Sequence, residues 1–281
     1  MTFATGRLVE RCARLTCVPL LLLLMVLPAL GQDQPERSWE NTAELGFVTT
    51  TGNTQTENLT FKNTFTYSWE KTSLKLEASM LNAEQTSRDA RNVGGSLVVD
   101  ETTEKTAESY RLSGKVRRDL RERLFTYGAA SWERDVFAGI DSRYVIGAGL
   151  GYKALTLPKH ELSLEAGADY TDEQAVGDAD SETYAGARAA GDYLWKFSET
   201  AKLSQELELL YNLEESDDYR INSVTSVTAA LTSRLALKTS YTLKYDNQPV
   251  VEVLTADGFD PVIFEFDKTD TILSASLVIN F

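Results

Sequence analysis

The stretch Leu59-Thr60-Phe61-Lys62-Asn63-Thr64-Phe65-Thr66-Tyr67-Ser68-Trp69 decides the fold. Leu59, Phe61, Phe65, Tyr67 and Trp69 alternate with Thr60, Lys62, Thr64, Thr66 and Ser68, so a β-strand here presents one apolar and one polar face. The same period recurs in Leu74, Leu76, Ala78 and Met80 against Lys75, Glu77 and Ser79, and in Tyr110, Leu112 and Val116 against Arg111 and Lys115. Further copies begin at Tyr144, Leu162, Leu203, Leu235 and Leu273, and weaker ones lie near 39–49, 123–134, 183–195 and 219–232. Together they predict twelve strands, an even number of the kind outer-membrane barrels use.

The connections alternate too. Those after even-numbered strands are short (70–72, 117–122, 154–159, 197–200, 233–234), whereas most after odd-numbered strands are longer and polar (87–103, 134–141, 172–181, 214–218, 247–266), with a tight Gly52-Asn53 hairpin as the exception. Short periplasmic turns opposite long outer loops are the asymmetry of a membrane barrel. Trp39, Trp69, Tyr152, Tyr193, Trp195 and Phe281 fall at strand ends on the short-turn side, and Phe47, Tyr170, Tyr211 and Tyr245 near the other ends, as two interfacial girdles would. The closing strand ends on a terminal Phe281, like the targeting strand read by the outer-membrane assembly machinery. A soluble sandwich or propeller would bury its apolar face between sheets and would not need two aromatic bands. The expected architecture is therefore all-β: a twelve-stranded antiparallel transmembrane β-barrel of bacterial outer-membrane type.

The start of the chain reads differently. Arg7, Arg11 and Arg14 precede an apolar run, Val18 to Leu30, and Ala29-Leu30-Gly31 has the small-x-small pattern of a signal peptidase site. Residues 1–31 are expected to be a signal peptide and 32–281 a single barrel domain in the bacterial outer membrane. Removing 1–31 takes away three Arg and Glu10, so 28 basic and 42 acidic residues become 25 and 41, net −16. It also removes Cys12 and Cys17, which excludes a disulfide framework. The acidic balance disfavours nucleic acid, whose recognition needs basic surface. The longest later stretch free of Asp, Glu, Lys and Arg is Ile221 to Ser233, too short and too rich in Ser and Thr for a spanning helix.

Three passages carry a family resemblance. They are Gly46 with Thr51-Gly52-Asn53-Thr54; Trp132-Glu133-Arg134-Asp135-Val136-Phe137 with Arg143-Tyr144 and Gly147-Ala148-Gly149-Leu150-Gly151-Tyr152; and Tyr245-Asp246-Asn247-Gln248-Pro249 with Asp270-Thr271 and Asn280-Phe281. In that order, over residues 40–281, the chain resembles the salt-induced outer membrane proteins of the YdiY-like family, a domain of unknown function. The resemblance implies a location and a link to salt, and brings no catalytic residue. Read from the residues themselves, Gly147, Gly149 and Gly151 share the lumen face and let a bulky group approach, and Trp132 is the expected filler.

Taking each strand's polar parity as inward, the lumen bases are Lys62, Lys75, Arg111, Lys115, Arg143, Arg188, Lys202, Arg234, Lys238 and Lys244. The acids are Glu44, Glu77, Glu161, Glu165, Asp169, Asp192, Glu206, Glu208 and Asp270. Net charge is near balance, but acids gather on the seventh and ninth strands and bases on the second to fourth and the eleventh. An open pore would then carry a transverse field, and a closed one inter-strand ion pairs. The function expected is a narrow passive channel for small solutes or ions, linked to salt or osmotic response. The alternative is a non-conducting structural or surface-binding barrel acting through acidic loops such as Asp172-Glu173, Asp178-x-Asp180-x-Glu182 and 214–218. Partners are outer-membrane lipid, the assembly machinery and small solutes or ions; no cofactor, metal or catalytic group is expected. His160, the single histidine, sits at a short turn beside Pro158, so hydrolysis with a histidine base is not expected.

Overall fold

The computed structural model describes residues 38–50, 54–93, 96–177, 180–249, 251–254, 262–265 and 267–281. The expected leader and the Gly52-Asn53 turn lie outside them. Twelve antiparallel strands close into one barrel: β1 (Trp39–Thr50), β2 (Thr54–Trp69), β3 (Thr72–Val93), β4 (Ser96–Asp119), β5 (Leu124–Asp135), β6 (Ile140–Thr156), β7 (His160–Ala175), β8 (Glu182–Lys196), β9 (Ala201–Asn212), β10 (Tyr219–Ala230), β11 (Leu235–Asp246) and β14 (Thr269–Asn280). Two short strands, β12 (Val251–Leu254) and β13 (Val262–Glu265), pair in a separate hairpin inside the last long loop.

Each barrel strand bonds its sequence neighbour, and β1 closes on β14 through Thr42↔Asn280 to Leu45↔Leu277. Closure removes the sheet edges that hydrocarbon could not solvate. The alternation sorts the faces as expected: Leu45, Phe61, Leu76, Leu112, Ile146, Leu150, Leu207, Leu237 and Leu273 are exposed on the outside. Arg143, Glu165 and Asp169 are buried within, as is Glu133, which the parity expected for β5 had placed outside. An apolar exterior around a charged interior inverts a soluble barrel and fits hydrocarbon.

The aromatic bands occupy the expected ends. Tyr67 and Trp69 pack at 5.3 Å, Trp195 and Phe197 at 5.5 Å, and His160 stacks on Trp195 at the short-turn end, while Tyr219 and Tyr245 meet at 5.9 Å at the other.

Three expectations are corrected. The expected loop 87–103 is largely paired strand: β3 and β4 stay in register from Ser87↔Thr102 to Val93↔Ser96, beyond a bulge at Ala83/Glu84, so this hairpin projects past its neighbours. Arg234 belongs to the exposed 231–234 turn, not to the lumen wall. Asp172 and Glu173 are not loop residues but the end of β7.

Candidate functional site: the charged lumen

The lumen is organised around a glycine trough. Gly147, Gly149 and Gly151 on β6 face inward beside Gly167 on β7, and a Cβ at Gly149 or Gly167 would come within 2.8 or 2.6 Å of the Tyr127 hydroxyl. One at Gly151 would collide with the Phe125 ring. The trough thus accommodates Phe125 and Tyr127 from β5, both buried. Trp132 does not fill it: its register partners Leu112 and Tyr144 are exposed outward residues, so Trp132 lies on the outer face. The expected parity of β5 was therefore shifted by one, and a shift of one exchanges the two faces of a strand.

Tyr127 anchors a chain of charges across the trough. Lys115 reaches Glu165, three strands away, at 2.5 and 2.6 Å, with its ammonium 4.9 Å from the Tyr127 ring centre. Arg188 donates to Glu165 at 2.9 Å, to Glu208 at 2.7 Å and to the Tyr127 hydroxyl at 3.0 Å. Without glycines beneath it, the tyrosine would stand too far into the lumen for Lys115 and Arg188 to meet one carboxylate.

A second layer lies toward the long-loop end. Arg143 clamps Glu173 with two bonds of 2.7 Å, and Arg220 shares Glu173 at 2.9 Å while donating to Asp246 at 2.9 Å and to the Tyr184 hydroxyl at 2.6 Å. Glu133 accepts Arg111 at 2.9 Å and Lys244 at 2.8 Å, and Lys244 also reaches Asp135 at 2.9 Å. β11 and β5 are six strands apart in either direction, so Lys244 is a crossbar between opposite walls. Such partly buried charges hold together because Glu133, Glu173, Arg220 and Lys244 each join two charged partners in one hydrogen-bonded network.

The remaining expected residues fall in different places. Lys62 and Lys75 both approach Glu77, at 3.1 and 3.2 Å, and Lys238 bonds Glu44 at 2.9 Å. Glu161 is an exposed rim residue paired with Lys196 at 2.7 Å. Asp169 is buried against Gly186, and its Oδ2 has no hydrogen-bond partner among the described residues. Asp192 and Glu206 are exposed inward neighbours on β8 and β9 with no ion pair within 4 Å among the described residues. The sequence reading left out Glu133, Glu173, Arg220 and Asp246. Glu133 and Asp135 share one parity, and two carboxylates on one face were the available sign that this face is the lumen.

Fold and lumen together define a transmembrane β-barrel protein of the bacterial outer-membrane type. More particularly, the chain belongs to the family described as "Protein of unknown function, DUF481", whose pattern matches residues 43–281. It is 26% identical over 214 residues to "Uncharacterized protein YdiY" of Escherichia coli (strain K12), covering 76% of this chain and 77% of that protein. Among solved structures it is similar to the COG4313 outer membrane channel from Pseudomonas putida F1, with TM-score 0.48, 12% identity, and 91% of this chain and 100% of that one covered. It is also similar to the translocator domain of the autotransporter NalP from Neisseria meningitidis, with TM-score 0.47, 13% identity, and 89% and 90% covered.

Proposed function

We propose that the protein is a narrow outer-membrane conduit for small solutes or ions, restricted at its outer mouth. Its short turns face the periplasm, its long loops face outward, and the outer-membrane assembly machinery inserts it through β14. The observation that carries this reading is the contrast along the lumen. Lys244 bridges to Glu133 and Asp135 at the long-loop end, whereas Asp192 and Glu206, nearer the short turns, keep exposed carboxylates with no ion pair among the described residues. Charges left solvated inside a barrel belong to a water-filled space. We connect the protein with salt or osmotic response through its exposed acidic loops, whose mutual repulsion is screened as ionic strength rises. The crossbar also favours the second reading, a structural barrel that does not conduct.

Planar-bilayer recording decides between them. The expected result is small, stable current steps from the wild type and severalfold larger steps from Lys244→Met, which removes the crossbar. Silence from both folded proteins leaves the structural barrel. We also read the protein as non-enzymatic: His160 Nδ1 lies 2.8 Å from the Tyr193 hydroxyl, and its ring is stacked in the aromatic band. A His160→Ala variant is accordingly expected to behave as the wild type in a lipid-hydrolysis assay.

A further inference from the structure

Most lumen charges are bridged, but one group is opposed without touching. Asp192 on β8 and Glu206 on β9 are direct register partners, and both side chains point inward and are exposed. Lys75 on β3 and Lys62 on β2 lie five strands away from them round the barrel, on the facing wall. Lys62 interacts electrostatically with Glu206, and Lys75 with Asp192, yet neither pair closes to within 4 Å. Two ammoniums therefore look across a gap at two carboxylates. Glu77 sits between the two lysines and offsets part of their charge, and Lys115, itself bonded to Glu165, also acts on Asp192.

Opposed charges that cannot meet impose a field across the space between them, strengthened by the low-dielectric walls. Water in the gap is aligned by that field. An uncharged solute must displace aligned water without replacing its dipole. A small zwitterion replaces it, with its ammonium toward Asp192 and Glu206 and its carboxylate toward Lys62 and Lys75.

We infer that the gap between Lys62 and Lys75 on one wall and Asp192 and Glu206 on the other is the charge-selective section of the lumen, and that it admits small zwitterionic solutes in preference to uncharged ones of the same size. This deepens the conduit reading and rests on it.

The test is liposome swelling with glycine and with its uncharged isomer glycolamide, on full-length protein whose folding is verified by its heat-sensitive gel mobility. In the wild type, glycine is expected to enter severalfold faster than glycolamide. In Asp192→Asn/Glu206→Gln, which keeps the side-chain shapes, the ratio falls toward one while glycolamide entry is unchanged. Lys62→Met/Lys75→Met, altering the opposite wall, lowers the ratio in the same way. A wild-type ratio of one, or a ratio that neither double variant moves, overturns the inference and leaves the conduit standing. If neither isomer enters through the wild type or Lys244→Met, the conduit reading fails and this inference with it.

Discussion

Gly149 lies against the Tyr127 hydroxyl on one side of the barrel, and on another Ser204 and Ser226 share a single hydrogen bond of 2.7 Å. The wall from β4 to β8 is crowded inside: aromatic rings seated on glycines, with Glu133, Glu165 and Glu173 each answering two cations. The wall from β9 through β10 and β11 to β14 is lined at mid-height by Ser204, Ser226, Ser240 and Ser274, short side chains that stop near their own strand. The difference shows that a twelve-strand lumen is filled unevenly at mid-height, with ion networks on one wall and short hydroxyls on the other, while Arg220 and Lys244 cross from β10 and β11 nearer the long loops. It also concentrates the energetic cost of substitution. Removing one member of a shared buried ion network strands its partners, whereas removing a serine hydroxyl leaves one neighbour to bond water.

The sharpest way to break the comparison is Glu165→Leu. Lys115 and Arg188 lose their common acceptor, and the expected loss is about 3–5 kcal/mol, measured as the unfolding free energy in detergent; Ser226→Ala on the other wall is expected to cost less than about 1 kcal/mol. Equal losses would mean that the two walls do not differ energetically. Next is Gly151→Val, which forces a side chain against the Phe125 ring and is expected to cost about 1–3 kcal/mol. Combining it with Phe125→Ala should return part of that loss, and a double-mutant cycle reads the coupling.

The smallest effect concerns the rim of the crowded wall. Burial works against ionisation of Asp119, but Lys153 at 2.7 Å and Arg117 at 3.3 Å outweigh it and hold the carboxyl below its usual value of 3.8. A depressed folded value means that the stabilisation is complete above 3.8 and is lost as the pH falls through the folded value. Asp119→Asn should therefore narrow the gap between melting temperatures at neutral and acid pH. The group is part-exposed, so the change is small. An unchanged gap would show that the rim pairs carry no acid sensitivity.

Much of this was legible in the chain. Leu59 to Trp69 announces its two faces, and the turn spacing gives the order of all twelve barrel strands. Lys115, Glu165, Arg188 and Glu208 could all be assigned to the lumen by parity. The reading failed where parity was ambiguous: β5 carries Phe125 and Tyr127 inside and Trp132 outside, so apolar residues occupy both faces. It failed also at β3 and β4, because the polar stretch 87–103 pairs through its backbone and needs no apolar face to do so. Arg220 is the second residue of β10 and Asp246 the last of β11, at strand ends where a sequence pattern is too short to set a face.

What the sequence determined by itself was most of the wall: where one face is apolar and the other polar, an alternation of period two assigns residues to lipid or lumen without knowledge of any other strand. What the tertiary structure alone decided was the partnership of the charges. Lys244 meets Glu133 more than a hundred residues away because closing the barrel brings opposite strands face to face. Lys62 and Glu206 remain apart for the same reason, since the wall-to-wall distance is a property of the closed circle of strands and of no single strand within it.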